Sequence, residues 1–374
     1  MWLLFKTLKH KVLLIITLLL GFITKAQLNN SVFDLQNWND SIATNHFGLT
    51  VENLNFVRNT EYQSRLLEGE SLLGFQLMPT LQYRAFDNVQ FAGGVFLKKD
   101  FGNNQFDKIT PVFTVSIKQK KHEFLIGNIK GSTSHGLIEP LYSFDRLIRN
   151  RLENGLQHIY KSNRIKTDAW LDWETMIYPN SPHREQFTAG FSGEYTLLKR
   201  NQFSWSFPIQ MLVHHRGGEI DASPLPVETQ YNFAYGTRIK IPITDSSLNF
   251  IELQGYLTYY EDQSSIPADS FIDGLGQYLS ILFQGKNLGI MLNYWDAHQF
   301  QAPNGDVAFQ SLSTKNTKYV FNYRKMAQIR LLYEKELYPH FYVIGRYNLM
   351  YDFHQKTRDM VMELYLKYVK TIAW

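Results

Sequence analysis

The sequence predicts an all-β fold, a transmembrane antiparallel β-barrel of about 16 strands. Three observations carry that reading. Apolar and polar residues alternate with period two through most of the chain, which sorts side chains onto two faces of extended strands. The alternating segments run roughly 10–14 residues, against ~5–6 for a soluble strand and ~9–11 for one that crosses a bilayer. After the first ~25 residues no apolar run approaches the ~18 needed for a spanning helix.

Composition narrows the alternatives. The 374 residues are 44% apolar and 15% aromatic, with no cysteine. That aromatic content excludes a disordered chain. The absence of cysteine excludes a disulfide scaffold and a thiolate zinc site. Residues 1–26 have the form of a cleavable secretory signal. Lys6, Lys9 and Lys11 precede the apolar stretch 12–22, and Thr24 and Ala26 offer small residues before a new terminus at Gln27. This segment carries Lys6, Lys9, Lys11 and Lys25 and no acid, so the formal charge of +4 belongs to it and the remainder is near neutral. A nucleic-acid partner is therefore not expected. Residues 27–45 form a short polar segment, too small for a plug domain, and 46–374 form the barrel.

The strands follow in order. Over 186–197, Phe187, Ala189, Phe191, Tyr195 and Leu197 alternate with Gln186, Thr188, Ser192, Glu194 and Thr196. Phe203, Trp205, Phe207, Ile209, Met211 and Val213 share one parity, as do Tyr231, Phe233, Tyr235, Ile239 and Ile241. Turn-forming pairs such as Asp87-Asn88 and Lys286-Asn287 separate such runs. Roughly seventeen segments qualify, 316–323 being the poorest; because single-chain barrels have even strand numbers, 16 is expected, with 14 and 18 as alternatives.

The polar parity defines the candidate lumen lining: Asp168, Trp170, Asp172, Glu174, Arg238, Lys240, Glu252, Tyr256, Arg330, Glu334, Tyr342, Arg346, Glu363, Tyr365 and Lys367. Burying so many charges in a dry core would cost several kcal/mol each, about the penalty that a water-filled lumen removes. The inward aromatics Trp170, Tyr256, Tyr342 and Tyr365, flanked by carboxylates and guanidinium groups, suit either stacking against sugar rings or an electrostatic cross-brace that rigidifies the wall. An apolar insertion at 131–151 is expected either to fold inward as a constriction, with a short helix near 142–150, or to form an extracellular cap or part of another strand.

The last segment is the most specific. Met362, Leu364, Leu366, Tyr368, Ile372 and Trp374 share one parity, and Glu363, Tyr365, Lys367 and Thr371 the other; only Lys370 departs. This segment resembles the closing strand of Gram-negative outer-membrane β-barrels. The resemblance implies an outer-membrane location, lipid as surrounding solvent, and Trp374 as the signal read by the barrel-assembly machinery. The chain is also loosely similar to porin-like barrels of the alginate-export and capsule-assembly families, which implies passive passage of small hydrophilic solutes or a saccharide chain. A non-conducting surface barrel that binds a glycan or a partner protein is the alternative. A lipid- or sugar-modifying enzyme is less favoured, and no catalytic residue, cofactor or metal is expected. Ser132, Ser134 and His135 invite a hydrolase reading but lack a recognisable third group, and His214 and His215 point to opposite faces of a strand.

Overall fold

The computed structural model describes residues 30–218, 220–243, 247–267, 270–316 and 319–374; the expected signal at 1–26 lies outside them. Sixteen strands form one closed antiparallel barrel in which each pairs with its neighbours in sequence and the first pairs with the last. They are β1 (His46–Tyr62), β2 (Glu70–Phe86), β3 (Val89–Asp100), β4 (Lys108–Gln119), β5 (His122–Asn128), β6 (Asn154–Lys161), β7 (Ile165–Thr175) and β8 (Gln186–Lys199). The second half contains β9 (Ser204–Arg216), β10 (Glu228–Pro242), β11 (Leu248–Asp262), β12 (Asp273–Gly285), β13 (Leu288–His298), β14 (Tyr323–Tyr338), β15 (Phe341–Asp352) and β16 (Thr357–Ala373).

Closure satisfies the backbone. β1 and β16 pair from Gly48 opposite Ala373 to Tyr62 opposite Asp359. Trp374 extends the seam, its amide donating to the Phe47 carbonyl at 3.0 Å and its carbonyl accepting from the Phe47 amide at 3.2 Å. A sheet without edges is what a hydrocarbon environment demands. The outer face agrees, since Leu73, Leu81, Phe113, Leu279 and Leu364 are large apolar side chains left exposed. Asn53 and Asn55 on β1 break the outer apolar pattern. They satisfy each other, with Asn55 Nδ2 donating to Asn53 Oδ1 at 2.6 Å, while Asn53 Nδ2 donates to the Gln76 carbonyl at 3.2 Å.

The connections alternate short and long. The end that holds Trp374 has tight turns such as the one between β4 and β5, and the other end carries the long loops 129–153 and 299–322. In outer-membrane barrels these ends are the periplasmic and extracellular faces. Of the described residues in the poor candidate strand at 316–323, only Tyr323, the first residue of β14, joins the barrel. The described part of that segment also contributes one isolated bridge, Leu312 to Val320, inside the 299–322 loop.

Candidate functional site: a filled interior and an interrupted wall

Three pieces of chain fill the barrel. Residues 30–45 run inside it, beginning with a 3-10 turn at Ser31–Phe33. Phe33 meets Phe144 at 5.5 Å and Tyr365 at 5.2 Å between ring centroids, and Asn37 Nδ2 donates to the Asn128 carbonyl at 2.9 Å. The strap, residues 129–153, includes the one-turn helix α1 (Arg146–Arg149) and buries Ile138, Leu141, Tyr142, Phe144, Leu147 and Ile148. These residues fold inward because the barrel wall presents apolar partners to them, Leu54, Phe56 and Ile344 to Phe144, Leu147 and Ile148, and Leu125, Ile159 and Trp170 among others to Ile138, Leu141 and Tyr142. The 299–322 loop adds Phe300 and Phe309, which pack on Trp295; the indole Nε1 donates to the Phe309 carbonyl at 3.0 Å. Strap and loop bind each other as well, with the Asp306 amide donating to the Glu139 carbonyl at 2.9 Å.

This differs from the water-filled lumen that the sequence predicts. It also shows why 27–45 is not too short to matter: its described part, 30–45, is one of three segments that fill the interior together. The inward charges are matched by ion pairs rather than by bulk water. Arg58 reaches Asp145 at 2.9 Å, and Glu70 and Glu363 at 3.2 Å each. Arg330 clamps Glu139 through two bonds of 2.6 and 2.5 Å. Glu52 lies between Arg151 and Lys367, and Arg238 pairs with Glu194.

All fifteen predicted lining residues have the inward parity of their strands. Asp168, Trp170, Asp172, Arg238, Glu252, Tyr256, Arg330, Arg346, Glu363, Tyr365 and Lys367 are buried. Glu174, Lys240 and Tyr342 are half-buried, and Glu334 is exposed toward the periplasmic end. The aromatic platforms are occupied by protein. Trp170 stacks on His135 at 3.6 Å and 4°, Tyr365 is covered by Phe33 and Phe144, and the Tyr256 hydroxyl accepts from Arg238 at 3.3 Å. Glu52, Arg58, Glu139, Arg151 and Glu153 carry as much of the network and lie outside the predicted lining. For Glu52 and Arg58 the β1 alternation was a usable signal; Glu139, Arg151 and Glu153 sit in or beside an apolar loop without period.

His135 is the centre of the strap. Its Nδ1 lies 2.9 Å from Asp168 Oδ2 and its Nε2 2.8 Å from Glu153 Oε2. Burial opposes its protonation, but Glu153 and Asp168 outweigh that and raise its pKa to about 9. Both ring nitrogens are thus held by carboxylates. Ser134 Oγ donates instead to the Gly131 carbonyl at 2.9 Å, so the Ser134–His135 pair does not form a nucleophile and base.

The wall itself has a notch. β5 and β6 are only 7 and 8 residues long, whereas β1 and β2 have 17 each. Pairing of β4 with β5 stops at Thr114 opposite Gly127, so 108–113 have no strand on that side. Pairing of β6 with β7 stops at Gly155 opposite Asp172, leaving 173–175 unpaired there. The broken ladder is capped by a side chain: Asn128 Oδ1 accepts from the Phe113 amide at 2.8 Å. Strand alternation places Pro111 on the same open edge, where it has no amide to leave unsatisfied. Residues 149–152 of the strap form the back of the notch, with Leu152 packed among Leu35, Met78, Phe96 and Val112.

A closed sixteen-strand wall with an apolar outer face and a charged, aromatic interior defines an outer-membrane β-barrel. The chain belongs to the lipid A 3′-O-deacylase-type family, whose model matches residues 39–373. Among solved structures it is similar in fold to a loop L8 deletion mutant of OmpT, an outer membrane protein of Vibrio cholerae, with TM-score 0.50, 10% identity, and 86% of this chain and 99% of that chain covered. Pseudomonas aeruginosa OccK11 (OpdR) is another, with TM-score 0.50, 8% identity, and 90% and 100% covered. No curated protein matches.

Proposed function

We propose that this chain is a sealed outer-membrane barrel that engages a lipid A-type glycolipid of the outer leaflet, with removal of an ester-linked acyl chain as its activity. The observation that carries the reading is the occupied interior. The 30–45 segment, the strap and the 299–322 loop stand where a diffusing solute would pass, and their charges are paired with the wall. A barrel so filled works at its surface and with the lipids around it, which agrees with what the family description names. The porin-like conduit stands as a second reading, favoured by a cavity toward the periplasmic end lined by Lys161, Lys166, Asp168, Glu194 and Arg238.

Two measurements on the same protein separate these readings. Planar-bilayer conductance is expected to be absent. Mass spectra of lipid A from expressing cells are expected to show loss of one acyl chain. Open-pore conductance with unchanged lipid A overturns the proposal in favour of the conduit.

A further inference from the structure

We infer that the notch between β4 and β7 is a lateral docking site for the phosphorylated sugar headgroup of an outer-leaflet glycolipid. The inference rests on the lipid A reading for the class of ligand and adds where, and by which residues, it is held.

The argument begins with the missing wall. Six residues of β4 edge, at ~3.3 Å each, give an opening roughly 20 Å along the strand. It lies at the long-loop end, on the side of the outer leaflet. An unpaired strand edge against hydrocarbon is costly, and here the edge is blunted by Pro111 and by the Asn128 cap rather than covered by another strand. What faces the gap is polar: Asn150 and Asn154 are exposed beside it.

The charge at the gap is positive. Lys98 and Lys108 lie directly opposite each other across β3 and β4, an unfavourable pairing. Asp100 neutralises Lys98 at 2.9 Å. The Lys108 ammonium has only neutral oxygens near it, Asn150 Oδ1 at 3.3 Å and the Arg149 carbonyl at 3.5 Å, and among the described residues no carboxylate within 4 Å. The Arg149 side chain is 47% exposed beside it and shares Glu70 with Arg58. A phosphate supplies the anion that Lys108 lacks, with the half-exposed Arg149 guanidinium beside it as a second donor, the asparagine amides bond sugar hydroxyls, and exposed Ile109 and Phe113 on the outer face give acyl chains a surface. Outer-leaflet glycolipid is the ligand that brings phosphate, sugar and acyl chain to one place.

Native mass spectrometry of the full barrel in detergent tests this, with bisphosphorylated lipid A, dephosphorylated lipid A and phosphatidylglycerol as probes. Wild type is expected to retain bisphosphorylated lipid A about tenfold better than either other lipid, which corresponds to roughly 1.4 kcal/mol. The double variant K108E/R149E is expected to lose that preference. Lys335→Glu, a single charge reversal at the other end of the barrel, is expected to keep it. Heat-modifiable migration on gels confirms that each variant is folded. Equal retention by wild type and K108E/R149E overturns the site, and equal retention of phosphatidylglycerol overturns the glycolipid. Loss of binding in the variant together with unchanged lipid A in cells expressing the wild type leaves the site standing and removes the hydrolytic reading. Deacylation that K108E/R149E does not alter does the reverse.

Discussion

At the residue scale, His135 shows how an interior of charges is held together. A buried imidazolium between two carboxylates is stable only while it keeps its proton. Its pKa is raised from 6.5 to about 9 by Glu153 and Asp168 against the opposing effect of burial. A histidine raised on folding contributes fully below its unfolded pKa and loses that contribution as pH climbs through the folded value. The window is therefore about pH 6.5 to 9, and the contribution roughly 3 kcal/mol at most. We predict that the strap becomes protease-sensitive across this window, with trypsin cleaving at Arg146, Arg149 and Arg151 faster at pH 9 than at pH 6.5 after correction for the enzyme's own pH profile. His135→Gln is expected to be cleaved readily at both values. Equal resistance of wild type at both values counts against His135 as the pin. The parity of Asp168 could be read from alternation, but its partner could not. His135 and Glu153 come from a loop, where no period tells which way a side chain points.

At the element scale, alternation is sufficient for most strands because a lipid-facing wall imposes period two over ten or more residues, with few exceptions such as Asn53, Asn55 and Lys370. It is insufficient at 316–323, where the same residue types make the exposed end of the 299–322 loop and the first residue of β14. Strand ends are governed by local geometry that alternation does not report. β5 stops because Gly127 (φ +102°) turns the chain away from β4, in a conformation that side chains with a Cβ rarely adopt. A Cβ there also collides with the Phe113 carbonyl oxygen. Gly127→Ala is expected to cost about 1–3 kcal/mol, read as a lower urea midpoint for loss of heat-modifiable migration. Gly93, which meets nothing within 4 Å, provides the control, and Gly93→Ala is expected to be nearly neutral. Equal midpoints for the two variants place the end of β5 under the control of the strap instead.

At the scale of the whole molecule, barrel and filling are separable in energy. The wall closes through backbone pairing between neighbouring strands, none of which involves the strap. The strap adds apolar burial around Phe144 and Leu147 and ion pairs to inward charges that water can also solvate. Removing its middle, 134–148, therefore exchanges protein partners for water at Arg58, Asp168, Asp172 and Arg330 without breaking the wall. Deleting 134–148 is expected to leave a folded, heat-modifiable barrel and to create conductance that the intact, sealed barrel of the proposed function is expected to lack. The mixture of signs on the inner face predicts weak ion selectivity. The 30–45 segment and the 299–322 loop remain inside, so the conductance is expected to stay below that of an unobstructed barrel of this size. A folded deletion variant that does not conduct assigns the seal to those two segments. One that fails to fold means that the strap is part of the barrel's stability and not only its filling.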